Sequence, residues 1–311
     1  MIGVSLPMRR LYERIEAFAP TDAPVLVRGE TGVGKELTVR ALHALSGRSR
    51  GPLAPVNAGA LPLATLQSEL FGHARGAFTG AQSSRDGKLV SASGGSLFLD
   101  EIESIPEPAQ MQLLRVLEDG LVVPLGGDRP RPVNIRLLAA TKTDLREMVR
   151  LGRMREDFYH RVTVLTLDVP PLRERRDDIP LLIAHFLVRA AARNRVAPPR
   201  IPAETLDEMV RAPWPGNVRE LKNTVERMVL TASRGVAGPF QQPGAEASEI
   251  GSMTPGGRLR AALDAAERQA VMRALNETGG RLGDAALILG VSPATLDFLM
   301  QKHGLSTAGG A

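Results

Sequence analysis

Cysteine is absent from this chain of 311 residues. Its absence excludes disulfides and thiolate metal sites, so no metal cluster is expected and a reducing cytoplasm is the natural compartment. Long apolar runs are missing too. Nowhere do about 18 apolar residues follow one another, and residues 1–14 lack an apolar core of signal-peptide length. These absences predict a soluble cytoplasmic protein with no membrane partner.

The chain also lacks tandem repeats of solenoid period. Hydrophobic residues make up 43% and charged residues 23%, which is typical of a globular protein with room for roughly two or three folded units. The formal net charge of +5 and the pI near 10.0 permit contact with nucleic acid or acidic partners. Composition alone therefore restricts the class of protein but does not identify its function.

Short apolar runs bounded by Gly, Pro or Asp recur through the first half of the chain and are typical of buried strands. They are Val25–Val27, Ala54–Val56, Leu97–Leu99, Ile135–Ala140 and Val164–Leu167. Segments with helical spacing lie between them, such as the one that carries Leu37, Ala41, Leu42 and Leu45. Alternating strands and helices predict an α/β subdomain with a mostly parallel sheet over residues 1–170.

The pattern becomes wholly helical after Pro170-Pro171, which predicts a helical lid over residues 171–232. Residues 233–257 are rich in Gly, Pro, Ser and Gln, a composition that indicates a flexible linker. From Arg258 onward the apolar spacing predicts a small all-α unit over residues 258–311.

A glycine-rich segment follows the first strand and opens a helix, which is the context that a phosphate-binding loop requires. Its backbone N–H groups and the helix N-terminus suit phosphate oxygens, and its lysine suits the outer phosphates. The alternative is a glycine-rich turn beside a strand. The candidate cofactor-binding residues are Gly29, Glu30, Thr31, Gly32, Val33, Gly34, Lys35 and Glu36.

A second motif, Gly94-Gly95-Ser96-Leu97-Phe98-Leu99-Asp100-Glu101, is a buried strand that ends in two acids. Asp100 is suited to hold Mg²⁺, and Glu101 to polarise the water that attacks a phosphate. We assign Gly94 and Gly95 to the same cofactor-binding motif. Together the two motifs predict that ATP and Mg²⁺ are the cofactors.

Between these motifs lies the hexapeptide Gly76-Ala77-Phe78-Thr79-Gly80-Ala81. Two glycines give the loop flexible shoulders, and an exposed Phe78 suggests a protein partner. The alternative is a turn whose phenylalanine packs into its own core. With the phosphate loop and the acidic strand end, the hexapeptide resembles that of the bacterial enhancer-binding proteins, sigma-54-dependent transcriptional activators of the AAA+ class.

The resemblance implies an AAA+ P-loop NTPase fold with a helical lid, in which residues 76–81 contact sigma-54 RNA polymerase. It implies that Asn57 restrains Glu101, although a turn-forming Asn is an equal alternative on local chemistry. The segment Asp119–Pro132 corresponds to a neighbouring loop that moves with the first, the alternative being a mobile hairpin.

Three arginines match family positions that act between subunits or on phosphates. Arg155 and Arg161 match arginine fingers, which make hydrolysis depend on a homo-oligomer, expected to be a hexamer. The alternative for both is a solvated basic face paired locally with acids. Arg219 matches a lid residue that senses phosphates, and we expect Asn217 and Glu220 to form a capping box at the start of its helix.

Two positions depart from general patterns. Glu36 replaces the Ser or Thr that normally contacts the metal, but the resembling activators usually carry Glu there as well. Lys142 stands where the family's first sensor residue is usually Asn or a near equivalent. A long cation at this position can change how hydrolysis is coupled to movement of the contact loop.

The last segment resembles the Fis-type helix-turn-helix. Gly290 would make the turn, and the helix that begins at Pro293 would read the major groove of upstream enhancer DNA. Acids nearly balance bases in this segment, so a dimerising or vestigial helical unit is the alternative. The candidate DNA-binding residues are Ser292, Ala294, Thr295 and Lys302.

These patterns predict an ATPase that remodels the closed promoter complex of sigma-54 polymerase. One rival is a protein-remodelling AAA+ unfoldase, which shares the nucleotide site but has no need of the hexapeptide. The other is a DNA-binding repressor on an inactive ATPase scaffold, which predicts loss of Lys35, Asp100 or Glu101. All three residues are present.

Overall fold

The computed structural model describes residues 1–78 and 81–232, followed by 271, 272, 274, 275, 278, 281–289, 296, 299 and 300. The chain forms two compact units, Met1–Pro243 and Gly244–Ala311. Within the described residues, no helix combines the length and the apolar character needed to cross a membrane.

A parallel sheet of five strands forms the centre of the first unit. Its strand order is β2-β5-β8-β1-β9, and two short antiparallel pairs, β3 with β4 and β6 with β7, lie outside it. The strands are β1 (Val25–Arg28), β2 (Leu53–Asn57), β3 (Gly72–His73), β4 (Arg85–Asp86), β5 (Ser96–Asp100), β6 (Leu121–Val122), β7 (Arg131–Pro132), β8 (Arg136–Thr141) and β9 (Leu165–Asp168). These ranges confirm all five predicted strands. The prediction works because strands that are covered on both faces need continuous apolar runs.

Ten α-helices belong to the described part of this unit. They are α1 (Leu6–Phe18), α2 (Lys35–Ala44), α3 (Leu63–Phe71), α4 (Lys88–Ser91), α5 (Glu107–Asp119), α6 (Leu145–Arg150), α7 (Glu156–Val162), α8 (Ile179–Asn194), α9 (Ala203–Arg211) and α10 (Asn217–Ala232).

Helices cover both faces of the sheet. Alternate side chains of β5 enter different cores: Leu97 and Leu99 pack with α3, α5 and α7, whereas Phe98 packs with α1 and α2. The helix α2 forms as predicted, but its buried face differs in part from the predicted one. Leu42 is buried as predicted, but Leu37 and Leu45 are both 56% exposed, and Thr38 and Val39 are buried in their place.

The predicted helical lid is confirmed as α8, α9 and α10. Their shared core contains Ile179, Met209 and Leu221, all fully buried around Trp214. The indole Nε1 of Trp214 donates to the carbonyl of Met209 at 2.7 Å, so the polar tip of this large side chain is satisfied inside the core.

The second unit contains one described helix, α11 (Leu282–Leu289). Ala285, Ala286 and Leu296 are buried in the core of this unit. The linker 233–257 and the candidate DNA contacts Ser292, Ala294, Thr295 and Lys302 lie outside the described residues.

Candidate functional site

The phosphate loop connects the end of β1 to the start of α2. Gly34 immediately precedes the helix, so the N-terminus of α2 faces the loop. The ammonium of Lys35 donates to the carbonyls of Gly29 at 2.8 Å and Glu30 at 3.1 Å. A Cβ on Gly32, whose φ is 80°, would lie 2.3 Å from the carbonyl oxygen of Gly216, so this position needs glycine.

Asp100 lies at the carboxyl end of β5 and faces the same loop. Burial raises the pKa of its carboxyl group, while a hydrogen bond from the Glu101 N–H and the charge of Lys35 act in the opposite direction. Burial also acts against the charged form of Lys35, and here it lowers the pKa. The charges of Asp100 and Glu103 oppose that change. The two groups therefore favour each other's charged form.

Glu101 adopts a left-handed backbone conformation with φ 53°, which a residue with a side chain rarely adopts. Its Oε2 lies 3.5 Å from Nζ of Lys142. A Cβ on Gly59 would lie 2.4 Å from the same Oε2, so the carboxylate rests against that glycine. The acid predicted to act on water is thus held between a cation and a turn.

One cavity of about 620 Å³ brings most of the predicted nucleotide site together. Its lining includes Lys35, Asp100, Glu101, Lys142 and Arg219, together with the loop residues Thr31, Gly32, Val33, Gly34 and Glu36. Glu36 points partly elsewhere, because its carboxylate pairs with Arg40 at 2.7 Å.

The donor set of this cavity fits a magnesium-bound triphosphate. A glycine loop, a helix N-terminus and Lys35 suit phosphate oxygens, while a single strand-end carboxylate leaves the other Mg²⁺ positions to phosphate and water. In the described part of the chain, Oε2 of Glu103 is buried without a hydrogen-bond partner. The same residues contain no group of three or more acids and histidines that could hold a metal by themselves.

The lid is connected to the phosphate loop through Asn217, a residue that sequence patterns did not assign to the site. Its Nδ2 donates to Oε2 of Glu30 at 3.0 Å and to the carbonyl of Thr31 at 3.2 Å. Its Oδ1 accepts from the N–H of Leu172 at 2.7 Å. The predicted capping box is therefore wrong: this amide serves other segments, and Glu220 accepts from the N–H of Gly216 instead.

Arg173 and Arg219 complete the connection. The guanidinium of Arg173 binds both carboxylate oxygens of Glu30, at 2.8 and 2.7 Å, and thereby lowers the pKa of that acid. The backbone N–H of Arg219 donates to the carbonyl of Gly32 at 3.3 Å, which places this residue at the loop.

Gly94, Gly95 and Asn57 are not part of the cavity lining. Gly94 and Gly95 precede the first residue of β5, at the opposite end of the strand from Asp100, so their assignment to the cofactor site is wrong. Gly95 serves close packing, because a Cβ there would lie 2.0 Å from the carbonyl oxygen of Pro52, whereas Gly94 has φ 80°, a conformation that favours glycine. Asn57 accepts from the N–H of Ala60 at 3.1 Å and caps the turn after β2.

The candidate arginine fingers lie outside the cavity lining: Arg161 is exposed on α7, and Arg155 is half-buried just before that helix. Arg155 forms a forked pair with Asp157, at 3.1 and 2.8 Å, and lies 3.5 Å from Glu107. Arg161 donates to the carbonyl of Leu117. Within a single chain, both guanidinium groups therefore bind local acceptors.

The hexapeptide loop leaves the first unit between β3 and β4. Phe78 is 47% exposed, which excludes the alternative that it packs into its own core. Its ring meets the ring of His73 edge-on at 5.0 Å between centroids, and Ser68 holds His73 through a 2.8 Å hydrogen bond. Thr79 and Gly80 lie outside the described residues.

The second loop is a hairpin that touches the first. Leu125 accepts from the N–H of Ala74 and donates to the carbonyl of Gly72, both at 2.9 Å. A Cβ on Gly126 would lie 2.7 Å from that of Ala77. The two loops are therefore neighbours, as the sequence predicts.

Comparison with known proteins places these features in a family. The sigma-54 interaction domain matches residues 1–168, the AAA+ ATPase lid domain matches 173–241, and the bacterial regulatory protein Fis family matches 262–303.

Similar proteins support the same placement. The transcriptional regulatory protein ZraR of Klebsiella oxytoca is 45% identical over 297 residues, covering 95% of this chain and 67% of that protein. The C4-dicarboxylate transport transcriptional regulatory protein DctD of Rhizobium meliloti is 44% identical over 308 residues, covering 99% and 65%. The chain spans about two thirds of the length of these curated relatives.

Solved structures are similar along nearly the whole chain. NtrX from Brucella abortus in complex with ATP has a TM-score of 0.72 and 33% identity, covering 98% of this chain and 69% of that one. Its complex with ADP has a TM-score of 0.73 with the same identity and coverage. The chain therefore belongs to the bacterial enhancer-binding proteins, the sigma-54-dependent transcriptional regulators that join an AAA+ domain to a Fis-type helix-turn-helix.

Proposed function

We propose that the protein hydrolyses ATP and uses the released free energy to remodel closed promoter complexes of sigma-54 RNA polymerase. The observation that carries this proposal is the shared location of Lys35, Asp100 and Glu101 around one cavity, in the unit that also exposes Phe78. The first three residues argue against an inactive scaffold, and the exposed aromatic loop argues against a general unfoldase.

Each residue of the cavity has a proposed task. The loop from Gly29 to Glu36 and the ammonium of Lys35 bind phosphates, and Arg219 responds to them from the lid. Asp100 holds Mg²⁺, which neutralises phosphate oxygen charge when bound. Glu101 accepts the proton of the attacking water, a role that needs its carboxylate free of other partners.

Hydrolysis is proposed to depend on assembly. Arg155 and Arg161 lie outside the cavity of their own chain, so they contribute only if a neighbouring subunit presents them to its phosphates. A closed ring, in our proposal a hexamer, gives every site such a neighbour. The local pairs of Arg155 with Asp157 and Glu107 must then be exchanged for phosphate contacts.

The contact loop and the C-terminal unit give the proposed machine its targets. Residues 76–81, including Thr79 and Gly80, are proposed to contact sigma-54, with Phe78 as the apolar anchor. The helix-turn-helix, through Ser292, Ala294, Thr295 and Lys302, is proposed to tether the protein to enhancer DNA in the cytoplasm. We propose the corresponding division into residues 1–170, 171–232, 233–257 and 258–311.

The direct test combines two measurements on the intact chain. We expect ATPase activity per subunit to rise with protein concentration, and sigma-54 to be retained on the protein only with a transition-state analogue of ATP hydrolysis. Lys35→Ala is expected to abolish both, whereas Glu101→Gln should still bind nucleotide while turnover falls about 10²–10⁴-fold. A wild-type chain that neither hydrolyses ATP nor retains sigma-54 would refute the proposal.

A further inference from the structure

We propose that Lys142 is a positioning residue that holds Glu101 away from its substrate water until a triphosphate draws the ammonium away. This inference rests on the proposed ATPase function and extends it to regulation of the same site. Its basis is the 3.5 Å separation between Nζ of Lys142 and Oε2 of Glu101. Both side chains line the nucleotide cavity.

The carboxylate of Glu101 is held on two sides. Lys142 supplies a positive charge on one side, and Gly59 leaves room on the other, where any Cβ would lie 2.4 Å from Oε2. Glu101 has φ 53°, so the start of this side chain is fixed by an uncommon backbone conformation. While this pair is closed, the carboxylate lies against Lys142 and Gly59, which keeps it from turning toward a water in the cavity.

A nucleotide bound in this cavity would offer Lys142 an alternative partner, because Lys142 is part of the cavity lining. It follows Thr141 at the carboxyl end of β8, beside β5, and its charge acts on Lys35 in the phosphate loop. A γ-phosphate carries more negative charge than one carboxylate, so it competes for the ammonium. ADP lacks that phosphate and should leave the pair intact.

Asn57 does not occupy this role in the structure. Its side-chain oxygen accepts from the N–H of Ala60 and caps the turn that contains Gly59. The turn therefore shapes the surface on which Glu101 rests, while the direct contact to the carboxylate comes from Lys142.

The test is a double-mutant cycle with Lys142→Met and Glu101→Gln, in which dissociation constants are measured for a non-hydrolysable ATP analogue and for ADP. With Lys142 present, Glu101→Gln removes an ion pair that triphosphate binding must break. With methionine at position 142, Glu101→Gln removes no ion pair. Because both side chains are partly exposed, we expect Glu101→Gln to tighten analogue binding about twofold to fivefold more in the Lys142 background.

ADP provides the internal control of the cycle. We expect no coupling between the two substitutions for ADP, because the pair stays closed. Additive effects on the analogue would overturn the inference, and so would equal coupling for both nucleotides, since the pair would then not respond to the γ-phosphate. A wild-type chain that fails to bind the analogue would instead refute the proposed function.

Lys142→Arg tests whether the positive charge carries the effect. We expect it to restore the coupling with Glu101→Gln that Lys142→Met removes, because it keeps a cation beside the carboxylate. Loss of the coupling in both variants would overturn the inference. Thermal melting of each variant checks that it folds.

Discussion

The amide of Asn217 joins the lid to the phosphate loop by donating to the carboxylate of Glu30 at 3.0 Å. The two residues are 187 positions apart in the chain, and Asn217 is fully buried with φ 54°. Asparagine tolerates this left-handed conformation better than most residues. One residue can therefore adopt the backbone conformation that this position requires and also join the lid to the phosphate loop.

We expect Asn217→Ala to lower the free energy of unfolding by about 1–3 kcal/mol, because it leaves the buried N–H of Leu172 without its acceptor. The unfolding transition of the first unit in urea measures this change in free energy. Asn194→Ala is the matched control: Asn194 is exposed, its amide donates to the carbonyl of Ala190 in the last turn of α8, and we expect a change within about 0.5 kcal/mol. Equal losses in the two variants would contradict the role assigned to Asn217.

The pair between Glu30 and Arg173 should depend on pH. Hydrogen bonds from Arg173, the larger cause, and from Asn217 lower the pKa of Glu30 below its ordinary value of 4.5. The charged carboxylate therefore contributes fully to stability above pH 4.5, and this contribution is lost as pH falls through the lowered pKa. Both side chains are largely accessible to solvent, so screening keeps the contribution of this pair to stability small.

The measurement compares melting temperatures of wild type and Glu30→Gln between pH 3 and pH 7, a range chosen to span the ordinary pKa. We expect a constant difference in the upper part of the range that shrinks below about pH 4.5. A difference that grows on acidification would show that Glu30 does not act through its charged form.

Mixing two inactive variants should restore hydrolysis if the arginines act between subunits. Arg161→Ala keeps an intact cavity, and Glu101→Gln keeps an intact finger. In a random equal mixture about a quarter of the interfaces combine both intact parts, so we expect up to about a quarter of wild-type activity.

The control for this experiment is Arg150→Ala, which removes an exposed arginine from a local pair with Glu147. We expect it to retain activity alone. Activity that stays absent in every mixture would place Arg161 in its own subunit's function, or in folding.

Phe78 and Phe71 allow the contact loop to be separated from the core. Phe78 is 47% exposed, so Phe78→Ala should change the free energy of unfolding by no more than about 1 kcal/mol while abolishing sigma-54 retention. Phe71 is 2% exposed, and Phe71→Ala should cost about 3–5 kcal/mol. Urea unfolding and the retention assay report the two effects. Undiminished retention by Phe78→Ala would contradict the assigned contact.

The sequence predicts the sheet strands well because a strand covered on both faces must be apolar along its length. The run Leu97–Leu99 illustrates this, since its residues enter cores on opposite faces. The apolar spacing of α2 predicts the helix but not its whole buried face, since Leu37 and Leu45 are exposed. Helical spacing predicts a face, but not which neighbouring element covers it.

Motif logic also failed where it assumed that adjacent residues share a task. Gly94 and Gly95 precede Asp100 in one motif, yet a strand separates the two ends in space. The predicted capping box paired Asn217 with Glu220 through local spacing, whereas the tertiary partners of the amide are Glu30, Thr31 and Leu172.

The parallel sheet and the phosphate loop can be predicted from the sequence, because burial, backbone freedom and short-range spacing are properties of nearby residues, and the hexapeptide carries the resemblance to the family. The contacts of Asn217 with Glu30 and of Lys142 with Glu101 became visible only in the fold. Such meetings depend on how distant segments pack, and a polar side chain carries no local signal of which distant group will satisfy it.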